Sequence, residues 1–122
     1  MDIARLTICL GDLLPCFDYI NDLLFVRRSG ETTQEIKEKI ASYASAADAQ
    51  SWINIVLIDS FIDEVTSGEW SAEDPCIDDL LSVFERAWTT QITAQYPDVR
   101  FSIERIIDHE LGDVGLRLIQ EK

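Results

Sequence analysis

Two prolines, Pro75 and Pro97, bracket the stretch that most constrains how this chain can fold. Asp74 directly before Pro75 is a helix-start signal. The aspartate side chain can cap the first free amides, and proline tolerates the first helical position because its missing N–H would be unpaired there anyway. Ile77, Leu80, Leu81, Phe84, Trp88, Ile92 and Tyr96 then recur mostly at steps of three and four, a single apolar stripe ending at Pro97. A helix of that length with one apolar face must bury it against other elements, so the rest of the chain has to supply a packing layer.

Beyond Pro97 the period changes from helical to alternating. Val99, Phe101 and Ile103 alternate with Arg100, Ser102 and Glu104, and "GDVGLRLIQ" alternates through Val114, Leu116 and Leu118. With Gly112 and Asp113 in the connecting turn, this predicts an antiparallel hairpin. A lone two-stranded hairpin is marginal in water, so it must lean on the helices or gain a further strand. Its open edge is a place where a partner strand could add.

The N-terminal half reads as helix. Ile3, Leu6, Leu10, Leu13, Phe17, Ile20 and Leu24 form one stripe, interrupted by Pro15, where a kink or break is expected. The second part of that stripe is expected to start with Asp12 as N-cap and to end with Arg27, Arg28 and a Gly30 stop. "TTQE" from Thr32 to Glu35 is a capping box opening another helix with Ile36, Ile40, Tyr43, Ala44 and Ala47 on its apolar face. The alanines and serines that follow mark a close helix contact or a short break near Asp48. "SWINIVLIDSFIDEV" fits either a six-residue buried strand or a longer buried helix running towards Gly68, and its length favours the helix. The expected architecture is therefore α+β: one domain over residues 1–122, with about four helices and a C-terminal antiparallel β-hairpin packed on them.

Apolar residues make up 47% of the 122-residue chain, a globular composition, and the longest apolar run is too short to span a bilayer. "MDIARLTICLGD" lacks a basic leader and a small-residue cleavage site, so a soluble cytoplasmic protein is expected. Cys9, Cys16 and Cys76 show no metal-binding spacing. Cys9 and Cys16, seven apart in an apolar pattern, read as core thiols. Trp52 and Trp88 lie in apolar helical patterns and read as core.

Charge is the outlier. The formal net charge of −13 exceeds the roughly 2–8 charges that keep a small domain soluble. Between Lys39 and Arg86 there are ten acids and no Lys or Arg. Such a field repels nucleic acid and anionic membranes and speeds encounters with basic partners. Asp74, Asp78 and Asp79 crowd a helix start, where each carboxylate is stabilised by roughly 0.3–1 kcal/mol, so part of the acidity is capping. The surplus on Asp63, Glu64, Glu69 and Glu73 costs self-repulsion unless a positive surface lies opposite. Trp70, in the polar loop "SGEWSAED", reads either as tucked onto the core or as an interface anchor beside those acids.

No catalytic constellation assembles. Asp108, His109 and Glu110 are consecutive and point different ways, so they read as a solvated turn. Asp59 and Asp63 share a helical face and read as an exposed polar stripe. The glycines and serines form neither a phosphate loop nor a nucleophile elbow. No enzyme activity, metal or cofactor is expected.

Size, acidity, mixed α/β patterning and the base-free segment from Ile40 to Glu85 make the chain similar to small acidic bacterial immunity proteins, including those of contact-dependent growth inhibition. The resemblance spans the whole chain and carries no shared motif. It implies a cytoplasmic monomer or weak homodimer that neutralises a basic toxin domain, such as a nuclease, by tight one-to-one binding. Asp63, Glu64, Glu69, Trp70, Glu73, Asp74, Asp78 and Asp79 are the candidate contact residues. Type III secretion chaperones, which bind an effector segment, are similar in size and acidity, and a DNA-mimicking inhibitor would share the charge.

Overall fold

A computed structural model describes residues 2–121. Among them are five helices and five strands in two antiparallel sheets: α1 (Ile3–Leu13), β1 (Cys16–Ile20), β2 (Leu23–Arg27), α2 (Thr33–Ala41), α3 (Ala46–Ile53), β3 (Ile55–Leu57), α4 (Asp59–Thr66), α5 (Pro75–Gln95), β4 (Phe101–Asp108) and β5 (Asp113–Gln120). The α+β class and the C-terminal hairpin agree with the sequence reading. The helix count is five rather than four, and a second hairpin occupies a region read as helix.

That region is Pro15 to Arg28. α1 stops at Leu13, Pro15 is buried, and β1 and β2 pair from Cys16↔Arg27 to Ile20↔Leu23. The connecting residues Asn21 and Asp22 have φ of 50° and 66°, the pair of positive angles that a tight two-residue hairpin turn requires. β2 buries Leu24, Phe25 and Val26 in succession because it lies between two apolar clusters. Leu24 and Val26 belong to the main cluster, whereas Phe25 joins Ile36, Ala49 and Ile53 beneath α2 and α3. Burial on both faces erases the alternation by which a strand is usually recognised.

The capping box forms as read, with the Thr32 hydroxyl accepting from the Glu35 amide at 3.1 Å. A break follows, but at residues 42–45 rather than near Asp48, which lies in the first turn of α3 behind its Ser45 cap. "INIVLI" is not continuous helix. Ile55–Leu57 is a short strand, so the strand alternative holds there, and the helical pattern resumes only in α4. β3 pairs antiparallel with β5, giving the C-terminal hairpin its third strand in the order β3-β5-β4.

α5 lies across this sheet. Ile77, Leu81, Phe84, Trp88 and Ile92 are its buried residues, and Asp74 caps its start by accepting from the Cys76 amide at 2.9 Å. Trp88 donates its indole N–H to the Leu13 carbonyl at 2.9 Å and meets Phe17 edge-on at 5.7 Å between ring centroids. Tyr96 donates to the Phe17 carbonyl at 3.0 Å. These bonds tie α5 to α1 and β1.

Asn54 joins the two sheets. It is fully buried; its side-chain oxygen accepts from the Val26 amide, and its amide nitrogen donates to the Leu24 carbonyl, both at 2.9 Å. The Gln120 side-chain oxygen accepts from the Leu24 amide at 2.9 Å. With Gln50, whose side-chain amide also donates to the Leu24 carbonyl at 3.1 Å, three side-chain amides satisfy the edge of β2 that a third strand would otherwise have to cover.

Four burial expectations are corrected. Trp52 is 62% exposed, because α3 turns only the Ala49–Ile53 face inward. Cys16 is exposed on β1 and Cys9 only half-buried, since they do not share one helix; all three cysteines are free thiols. The α1 stripe buries only Leu13, leaving Ile3 83% exposed and Leu6 and Leu10 at the surface.

Candidate functional site

The loop from Ser67 to Asp74 carries Trp70 between α4 and α5, and two depressions meet at that residue. Its left-handed entry is made by Ser67 and Gly68, with φ of 55° and 75°, and the Gly68 amide donates back to the Asp63 carbonyl at 2.9 Å. The turn throws the chain back along α4. Trp70 is half-buried against the main cluster, and its indole N–H donates to the Asp63 carboxylate. The core alternative is met in part, since the half-buried ring leans on the main cluster, and the same ring lines both depressions.

The first depression is a groove of about 440 Å³ between α4 and α5, lined mostly by carbon from Phe61, Val65, Trp70, Leu80 and Val83. Ile62 and Ile77 lie buried beneath it, whereas Val65 and Val83 stand 53% and 55% exposed on its walls. Glu69, Asp74 and Asp79 also line it, and no Lys or Arg does. The second depression, of about 400 Å³, lies on the other side of Trp70 and is polar, with Asp59, Asp63, Glu73 and His109 among its lining.

The candidate acids fall into two sets. Some already have intramolecular partners. Glu64 receives Arg5 of α1 at 2.7 Å, and Asp78 receives Arg105 of β4 at 3.3 Å, with Arg105 also reaching Glu85 at 3.1 Å. Asp63 takes the Trp70 indole and Asp74 caps α5. Arg5 holds the Glu64 carboxyl below the usual carboxylate range, chiefly by its hydrogen bond and also by its charge. The carboxylates of Glu69, Glu73 and Asp79 have no hydrogen bond or ion pair among the described residues. Glu64 and Asp78 line neither depression. The structure thus brings Glu69, Trp70, Asp74 and Asp79 together around one groove and turns Glu64 and Asp78 towards the arginines that partly neutralise the base-free segment.

Val65 and Val83 were not singled out in the sequence. Val65 ends the stretch whose length predicts one long buried helix, and that stretch divides at β3. Val83 carried a readable signal: it is an aliphatic residue off the α5 stripe, on the face otherwise given to Asp79 and Arg86.

Cys76 opens α5 at the groove's edge. A helix N-terminus ordinarily lowers a thiol pKa. Here the thiol is pushed above its ordinary value, first by the charge of Asp74 and then by its hydrogen bond, with burial and Asp79 adding to the effect. Asp74→Asn keeps a good capping residue and removes the charge. Iodoacetamide labelling of Cys76 at about pH 8, followed by peptide mass spectrometry, should be severalfold faster in that variant, because more thiolate is present below the thiol pKa. An unchanged rate would show that the capping charge does not control this thiol.

Among the described residues, no group of three or more His, Cys, Asp or Glu side chains is placed to hold a metal ion. No helix among them is long and apolar enough to cross a membrane. Comparison with protein-family models, with curated proteins and with solved structures finds no match to this chain.

Proposed function

We propose that this protein is an immunity-type inhibitor that binds a basic toxin domain and occludes its substrate surface with the acidic face formed by α4, the Trp70 loop and the start of α5. The observation that carries this reading is the groove itself: an apolar trough lined by Glu69, Asp74 and Asp79 without a single base. Apolar lining favours removal from water, and carboxylates around it select a partner of positive sign. A nuclease domain has that sign, because its Lys and Arg hold phosphates, and an acidic protein seated over them would exclude the nucleic acid. Charge would set the speed of encounter, and the apolar contact the lifetime of the complex.

The test starts from capture of partners by the tagged protein from its source cells at low salt, followed by an activity assay of the captured protein. The expected result is a basic partner whose activity is abolished at one-to-one stoichiometry. Association should slow as salt rises, since the Debye length shrinks from about 10 Å at 0.1 M to 3 Å at 1 M. The double variant Glu69→Lys and Asp79→Lys, which breaks no internal ion pair, should slow association about tenfold or more at low salt. A partner that is acidic, or one whose association rate is indifferent to both salt and these substitutions, would overturn the reading.

A further inference from the structure

Resting on the reading above, we infer that the α4–α5 groove recognises one specific kind of segment on its partner: one or two aliphatic side chains flanked by Lys or Arg. The acidic face as a whole accounts only for a preference for positive charge. The groove adds shape and chemistry to that preference.

Val65 on α4 and Val83 on α5 stand half out of water, and they share the groove lining with Leu80, Phe61 and the buried Ile62 and Ile77. Neither valine is needed for the α4 or α5 core stripe, which is completed by Ile62, Ile77 and Leu81. The stretch of α5 from Cys76 to Val83 is about 10 Å long at 1.5 Å per residue, room for aliphatic side chains spaced one helical turn apart. The carboxylates at this trough differ from those elsewhere on the face. Glu69 and Asp79 have no internal partner among the described residues, whereas Glu64 and Asp78, outside the trough, are held by arginines. Glu69, Asp74 and Asp79 line the same groove as Val65 and Val83, so the sequence neighbours of an aliphatic side chain seated in it meet a lining whose charges are all negative. A cation there meets carboxylates with free acceptor positions, and an acid there meets repulsion. A second copy of this chain fits poorly, because it would bring a net charge of −13 against the same three carboxylates.

Three short synthetic peptides test this on the intact protein, followed by amide chemical shifts of the isotope-labelled chain. The first carries two leucines one helical turn apart among lysines. The second has alanines for the leucines, and the third has glutamates for the lysines. The expected result is that the leucine–lysine peptide shifts the amides of Val65, Thr66, Leu80 and Val83 and binds about tenfold or more tighter than the alanine–lysine peptide. The leucine–glutamate peptide should not bind. Val83→Asn, at an exposed position, should reduce the leucine–lysine affinity to that of the alanine peptide while leaving the rest of the spectrum in place; Val65→Asn serves equally if that variant misfolds.

Equal binding of the leucine–lysine and alanine–lysine peptides would overturn the groove inference and leave the basic-partner reading standing. Equal binding of the leucine–lysine and leucine–glutamate peptides would overturn the cationic flank. Failure of every lysine peptide to bind at low salt would overturn the inference, and the basic-partner reading would then be decided by the capture experiment alone. Concentration-dependent shifts at the same four residues without any peptide would assign the groove to a second copy instead, against the inference.

Discussion

Asn54→Ala should destabilise the protein by roughly 3 kcal/mol, read as a lower urea midpoint with an unchanged slope. The substitution removes the acceptor for the Val26 amide and one donor to the Leu24 carbonyl, both inside the protein. An unpaired buried backbone group costs about 1–3 kcal/mol, and the small cavity adds to that. The Leu24 carbonyl keeps a second donor, the Gln50 side-chain amide at 3.1 Å, so the Val26 amide bears most of the loss. Its hydrogen exchange should accelerate more than that of any other β2 amide. Asn54→Asp should cost more still, because it keeps an acceptor for Val26 but sets a buried carboxylate against the Leu24 and Leu118 carbonyls. A loss below about 1 kcal/mol for Asn54→Ala would mean that water or another side chain substitutes for the amide, and that the two sheets are not joined through it.

Gly115→Ala should be comparably damaging, at about 3 kcal/mol, which for a chain of this size is a fall in melting temperature of about 10 °C or more. A Cβ built at this position would lie 2.2 Å from the Val56 carbonyl oxygen and 2.9 Å from the Leu57 Cα, both backbone atoms of β3. Backbone cannot rotate away as a side-chain end can, so β3 must separate from β5 and the register Leu57↔Gly115 must open. Gly11→Ala is the control. Its Cβ would lie 2.8 Å from the Ser29 Cβ and 2.9 Å from its hydroxyl; rotation moves only the hydroxyl, so the exposed turn at Ser29 must yield, and the gain of about 1 kcal/mol in helix propensity of alanine over glycine in α1 offsets part of that cost. Thermal unfolding of the two variants side by side should show the larger loss for Gly115→Ala, where a paired strand must move, and a smaller one for Gly11→Ala, where an exposed turn can yield. Similar melting temperatures for both would remove the close strand approach as the cause.

The α5 start and the α2 start were legible because their signals are local. Asp74 with Pro75, and Thr32 with Glu35, satisfy backbone groups two or three residues away, whatever the rest of the chain does. The C-terminal hairpin was legible because one of its faces is buried and the other is not, which writes a period of two into Val114, Leu116 and Leu118. The N-terminal hairpin failed this test. Leu13, Phe17, Ile20 and Leu24 satisfy helical spacing by coincidence, and Leu24 to Val26 shows no alternation because both sides of β2 are covered. The Asn21–Asp22 pair was the local sign of the turn, and Pro15 the sign that the helix had ended.

The candidate site divides in the same way. By itself the sequence determined that acids are concentrated without bases between residues 40 and 85, and that an aromatic stands in a polar loop among them, since charge and residue type are properties of the chain. Only the tertiary structure decided which of those acids are already occupied. Arg5 reaches Glu64 across 59 positions of sequence and Arg105 reaches Asp78 across 27, and no count of charges within one segment can show such pairings. Tertiary structure also made the groove, by ending one helix at β3, starting another at Asp59, and bringing Val65 of α4 and Val83 of α5 into one lining. Caps and periodicity act over a few residues of chain; burial on two faces, ion pairing and concavity depend on what the rest of the chain brings alongside.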